Sequence, residues 1–271
     1  MKRSWKPVVR LMAVSVLFIW QATIACGQDA TYRFRPGLHL SKEHPPAARE
    51  LKLLLTDLRL ITGFSDIQIN ADGDFVLRDR MLISGGSEIA RALFVIAGDG
   101  ADSFTVEALN HSPAIAFGQI ESLLVYYDSL NGPHQDWHIR IDFADLKELH
   151  GDRAVIASFG PGMNFLHELT HAVRGYSDPQ SSADQLGQCE THINLIRAEL
   201  GLPLRQNYFP RHRLVTRPES IAKVFEGEIA FVRPGDPSPL PLTFNVDRVI
   251  DASAARARNL MYSDVARLYR K

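Results

Sequence analysis

His167-Glu168-Leu169-Thr170-His171 is the stretch whose reading decides the fold. Residues four apart lie on one face of a helix, so the two imidazoles can converge on a single ion. Glu168, a quarter turn round, points to the ion's remaining side. The flanks agree with a helix. Pro161, inside Gly160-Pro161-Gly162, suits a first helical position and Gly175 is a natural stop, so the spacing predicts a helix over residues 161–174. Met163, Leu166, Thr170 and Val173 recur at helical spacing, and Phe165, Leu169 and Ala172 extend that apolar cover. Histidines on a helix buried over so much of its circumference need partners.

The pattern H-E-x-x-H on a helix is that of a zinc site in which the histidines hold the ion and the Glu is the general base. Catalytic zinc takes three protein ligands and keeps a fourth position for water, so a third donor is required. Asp178, Asp184 and Glu190 lie downstream. One known continuation of the motif has a Gly followed three residues later by His or Asp, but Gly175 and Asp178 sit one place too late for it. Asp178-Pro179 also reads as a turn after the helix, where an Asp is often only solvated.

Glu190 is the favoured third ligand. A second helix is predicted over residues 182–200, ended by Gly201 and Pro203, with Leu186, Cys189, Ile193, Ile196 and Leu200 as its apolar stripe. Glu190, Asn194 and Arg197 line the edge of that stripe, where a carboxylate is costly unless it is paired or holds a cation. Arg197 offers the ion pair, and the zinc offers the functional alternative. Asn194 and Arg197 would then orient Glu190. Cys189 reads as a small buried hydrophobe rather than a reactive thiol or a fourth ligand.

With these residues in hand, the segment resembles the gluzincin metallopeptidases, in which a Glu on a second helix completes the HExxH site. More narrowly, HELTHAVRG followed by CETHINLIRAELGLPLRQNY resembles the NleD-like effector zinc metallopeptidases of bacteria, over residues 159–208. The resemblance implies His167, His171 and Glu190 as ligands of one Zn2+ per chain and Glu168 as the catalytic carboxylate. For the oxyanion, Tyr208, Tyr176, His192 and Arg205 are candidate donors, and Tyr208 is favoured because it lies in the matched block. Cleavage of a protein or peptide substrate follows from metal-activated water with Glu168 as base. The N-terminus departs from the effectors, which leaves their host-cell substrates open.

Residues 1–27 read as an export signal: Lys2, Arg3, Lys6 and Arg10 precede a short apolar run from Leu11 to Trp20 and the small-residue end Thr23-Ile24-Ala25. Ala25-Cys26-Gly27 also fits a lipoprotein junction, with Cys26 as the only membrane anchor. Either reading puts residues 28–271 outside the cytoplasm, secreted or periplasmic, as one domain without an intrachain disulfide. A formal net charge of -1 argues against nucleic acid as a partner.

Residues 47–62 read as a helix, residues 66–78 as a hairpin, and residues 104–109, 122–127 and 137–143 as strands or buried segments. Residues 229–232 read as a strand, 235–241 as a loop and 252–269 as a terminal helix. His134, His138 and His150 are scattered without ligand spacing. The order predicts an α+β, zincin-like fold: an antiparallel or mixed sheet, then the HExxH helix, then the second ligand-bearing helix. Two other functions fit the same residues. One is an inactive zincin-fold surface lipoprotein or binding module; the other is a zinc amidase acting on cell-wall peptide.

Overall fold

Two compact units divide the chain, residues 1–34 and 35–271. The computed structural model describes residues 35–112, 116–128, 132–181, 186–216 and 223–249, all in the second unit. The export signal with Cys26, Asp184 and the terminal helix expected at residues 252–269 lie outside the described residues. Among the described residues no helix is long and apolar enough to cross a membrane.

In chain order the elements are β1 (Gly37–Leu40), α1 (Ala48–Thr62), the hairpin β2 (Ile67–Ile69) and β3 (Phe75–Leu77), α2 (Glu88–Asp99), β4 (Ser103–Ala108), β5 (Gly118–Asp128) and β6 (Gly132–Ile141). Short segments α3 (Phe143–Lys147), β7 (His150–Gly151) and α4 (Arg153–Ala157) lead into α5 (Pro161–Arg174) and α6 (Gly187–Glu199). The chain closes with β8 (Leu204–Arg205), β9 (Arg211–Thr216), β10 (Lys223–Arg233), β11 (Asp236–Asn245) and α7 (Val246–Val249).

The first sheet runs β1-β4-β6-β5, parallel at β1/β4 and β4/β6 and antiparallel at β6/β5, so it is mixed and β5 is an edge. Parallel pairs need long crossovers, and α1 and α2 supply the one from β1 to β4. Alternation along the strands sends Leu38, Phe104, Val106, Ile139 and Ile141 to one face, where they join Leu54 and Leu58 of α1, Leu93 of α2 and Phe165, Leu166 and Leu169 of α5 in one core. Glu107, on the alternate parity of β4, instead accepts from Ser41 Oγ at 3.2 Å and meets His138 Nδ1 at 3.2 Å.

A second, antiparallel sheet follows the motif helix in the order β7-β11-β10-β8, with β9 also on β10. Its core gathers Phe225, Ile229, Phe231, Leu242 and Phe244 around Val155 and Phe159. Phe159 belongs to this core and Met163 to the first, so the start of α5 stands where the two cores meet.

The chain is therefore α+β, with its mixed sheet ahead of the motif helix. Two segments differ from the sequence reading. Residues 235–241 are not a loop: residues 236–241 open β11, paired to β10 as Ala230↔Pro241 and Val232↔Pro239. Pro239 and Pro241 fall two apart, so their missing N–H groups share one edge of the strand, where the short β7 pairs only with Leu242 and Thr243. Helix α2 also escapes the reading, although Ser87 caps it by accepting from the Ala90 N–H at 3.0 Å.

Candidate metal centre

Helix α5 spans Pro161–Arg174 and stops at Gly175, whose N–H donates to the His171 carbonyl. At its start the Asn164 side-chain amide donates to the carbonyls of Phe159 at 2.8 Å and Gly160 at 3.1 Å. His167 and Glu168 are buried. After Gly175 the chain turns back, and the Tyr176 carbonyl accepts from His171 Nδ1 at 2.6 Å. His167 Nδ1 lies 3.2 Å from Glu190 Oε2. With both Nδ1 atoms engaged, the two Nε2 atoms face each other 3.3 Å apart. A ring nitrogen held in this way fixes the tautomer and leaves the other nitrogen's lone pair for an ion.

The same turn brings Asp178 across the pair. Its Oδ1 is 3.2 Å from His167 Nε2 and its Oδ2 3.3 Å from His171 Nε2. Oδ1 is buried without a hydrogen-bond partner. Donors of a tetrahedral zinc site, each ~2.0–2.1 Å from the ion, stand about 3.3–3.4 Å from one another. The two Nε2 atoms stand at that separation from each other, and each stands at about that separation from a different oxygen of Asp178, a donor chemistry that suits zinc. Tyr208 donates its hydroxyl to Asp178 Oδ2 at 2.5 Å and stacks its ring on that of His167. Among the described residues the group of donors able to hold one ion comprises His167, His171, Asp178 and Cys189, whose ligand atoms all lie within 4.8 Å of one another. His134, His138 and His150 are not among them.

Glu190, the expected third ligand, faces the other nitrogen of His167. It is 1% exposed and held between two guanidiniums: Arg197 Nη1 donates to Oε1, and Arg205 Nη1 to Oε2 at 2.9 Å. Asn194 Oδ1 fixes that arrangement by accepting from Arg197 Nη1 at 2.8 Å and from the Arg205 backbone N–H at 3.0 Å. The charge of Glu190 is thus already balanced, and it stands where a carboxylate orients a ligating histidine.

Electrostatics follow the same division. Burial alone would raise Glu190, but the charges of Arg197 and Arg205 hold its carboxyl well below the usual range. Burial would likewise raise Asp178, and the two imidazoles pull it down. Burial opposes protonation of His171, yet its contacts to Asp178 and Cys189 push it up to about 10. Glu168 is raised, chiefly by burial, against the pull of His167 and His171.

Beside His167 and Glu168 a cavity of about 200 Å³ opens between α5 and the second sheet, walled by Phe117, Phe159, Ile229 and Phe244 with Tyr208 at its side. Two residues here were not singled out from the sequence. A Cβ on Gly118 would come 3.0 Å from Glu168 Oε1, so a side chain at this strand start would push the carboxylate aside by a few tenths of an ångström. Phe117 holds φ 68, a left-handed conformation that its residue type does not announce. Of the other oxyanion candidates, Tyr176 and His192 meet edge to face with ring centres 5.5 Å apart, and Arg205 is committed to Glu190 and to the carbonyls of Asn207 and Tyr208.

Comparison with protein-family models, curated proteins and solved structures finds no match for this chain. Its chemistry therefore rests on the site's own geometry.

Proposed function

We propose that this protein is a zinc-dependent peptidase of zincin-like fold, acting outside the cytoplasm on protein or peptide substrate. The observation that supports it is the triangle of His167 Nε2, His171 Nε2 and the Asp178 carboxylate, with Glu168 of the same helix turn beside it at the wall of an apolar cavity. In this reading the third ligand comes from the turn after α5, and Glu190 orients His167 from behind rather than binding as in the gluzincins.

Zinc held by these three side chains supplies a Lewis acid and lowers the pKa of its water. Glu168, beside these donors, would serve as the group that takes a proton from the attacking water and returns it to the leaving amine. Tyr208 orients Asp178 through its hydroxyl, and would have to release that carboxylate before it could donate to the developing oxyanion. Strand β5 begins at Gly118 against Glu168 and is a sheet edge, so its unpaired backbone groups can hold an extended peptide across the site. The apolar wall then receives one of the peptide's side chains.

The test is zinc content together with hydrolysis of an unfolded protein and of peptidoglycan-derived peptides. One zinc per chain is expected, with hydrolysis lost to a chelator and restored by zinc. Glu168→Gln should keep the zinc and lose roughly 10²–10⁴-fold in turnover. A zinc-loaded wild type inactive on every substrate would leave a binding module. A chain that takes up no zinc would sink the metallopeptidase reading altogether.

A further inference from the structure

The donor cluster holds one side chain more than a hydrolytic zinc needs. Cys189 is fully buried in the first turn of α6, and its Sγ lies 3.3 Å from the His167 carbonyl oxygen. It is buried on the helix that brings Ile193 and Ile196 to the first core, and its sulfur is also one of the four ligand atoms lying within 4.8 Å of one another.

The backbone delivers sulfur and carboxylate together. The Cys189 N–H donates to the Ser177 carbonyl at 3.3 Å, which ties the start of α6 to the turn that carries Asp178. Gly187 allows this fit, since it holds φ +71 and a Cβ there would meet Pro179 at 2.6 Å. Helix α6 thus begins pressed against the turn, with the thiol on the side of the imidazoles.

Resting on the metal reading above, we propose that Cys189 is a fourth protein donor to the same ion, completing a set of two imidazoles, one carboxylate and one thiolate. A tetrahedral ion with three ligands has one position left, and a sulfur that binds at about 2.3 Å competes with water for it. A thiol bound there would close the site to water, so hydrolysis would require its withdrawal. The softer donor also biases the site toward zinc and cobalt over magnesium or calcium.

Cobalt(II) titration of the full-length chain, followed by absorption, tests this directly. Wild type should show visible d–d bands together with a near-ultraviolet sulfur-to-cobalt charge-transfer band. Cys189→Ser should keep the d–d bands and lose the sulfur band completely; Cys26 is present in both chains, so it cannot account for the loss. Should the serine variant fold poorly, Cys189→Ala is the second variant, and the wild-type spectrum is informative by itself. Wild-type d–d bands without a sulfur band would overturn the fourth ligand while leaving the three-ligand site standing. No cobalt uptake by wild type would overturn both.

Discussion

The turn after α5 and the first turn of α6 each bring a carboxylate to the same imidazole, with opposite results. Glu190 meets His167 at Nδ1, fully buried, its charge balanced by Arg197 and Arg205. Asp178 meets it at Nε2, its side chain 33% exposed, and among the described residues no guanidinium pairs with it. A third carboxylate extends the series. Asp145 is buried near Asp142 with no cation upon it among the described residues, and burial first, then that like charge, pushes it up to about 7. What a buried carboxylate can do is thus set by what already faces it. One locked between guanidiniums is a support, one facing imidazoles and a phenol but no guanidinium has charge to offer a metal, and one facing another carboxylate has its pKa pushed up.

The contrast between Asp178 and Glu190 is broken most sharply by Asp178→Ala. Zinc affinity, read by chelator competition, should fall on the order of 10³-fold, beyond the ~10–100-fold typical of an outer partner. Because Asp178 sits on a partly exposed turn, the thermal midpoint of the metal-free chain should move little. Glu190→Gln is the converse: about 10–100-fold in zinc affinity, with a marked loss of stability on denaturant unfolding because Arg197 and Arg205 lose their partner. Zinc kept in Asp178→Ala and lost in Glu190→Gln would invert the assignment. Tyr208→Phe removes the hydroxyl from Asp178, and turnover should drop roughly 10-fold at unchanged zinc content.

Asp145→Asn gives the smallest effect and sharpens the third case. Its raised pKa means that the folded chain holds a proton the unfolded chain releases, so this stabilisation is present below pH ~4 and is lost as pH rises through about 7. The variant should match wild type near pH 4 and melt ~3–6 °C higher at pH 8, after allowance for solvent screening, in a thermal scan across pH.

Much of this was legible in the chain. Pro161 and Gly175 bracketed the motif helix correctly because both act locally, through a fixed φ and a left-handed stop. Alternation found β4 and β6, and two histidines four apart announced a shared partner. Which nitrogen each carboxylate faces was not legible, because spacing does not tell Nδ1 from Nε2: Asp178 and Glu190 both reach His167, one on each side of the ring. The residues supporting Glu190 were read correctly, since Asn194 and Arg197 share its helix face. Phe117 and Gly118 were missed because their role comes from strand β5 passing Glu168, a contact with no local signature. The alternate prolines of β11 looked like a loop because composition was weighed without their parity.

Asp178 and the apolar cavity belong to different recesses: Glu168 and Tyr208 line the cavity, whereas Asp178 lines a separate groove with Tyr176, Pro179, Gly187 and His192. If Asp178 holds an ion as proposed, a compound filling the cavity would leave this groove unobstructed, and a chelator should still reach the carboxylate from that side.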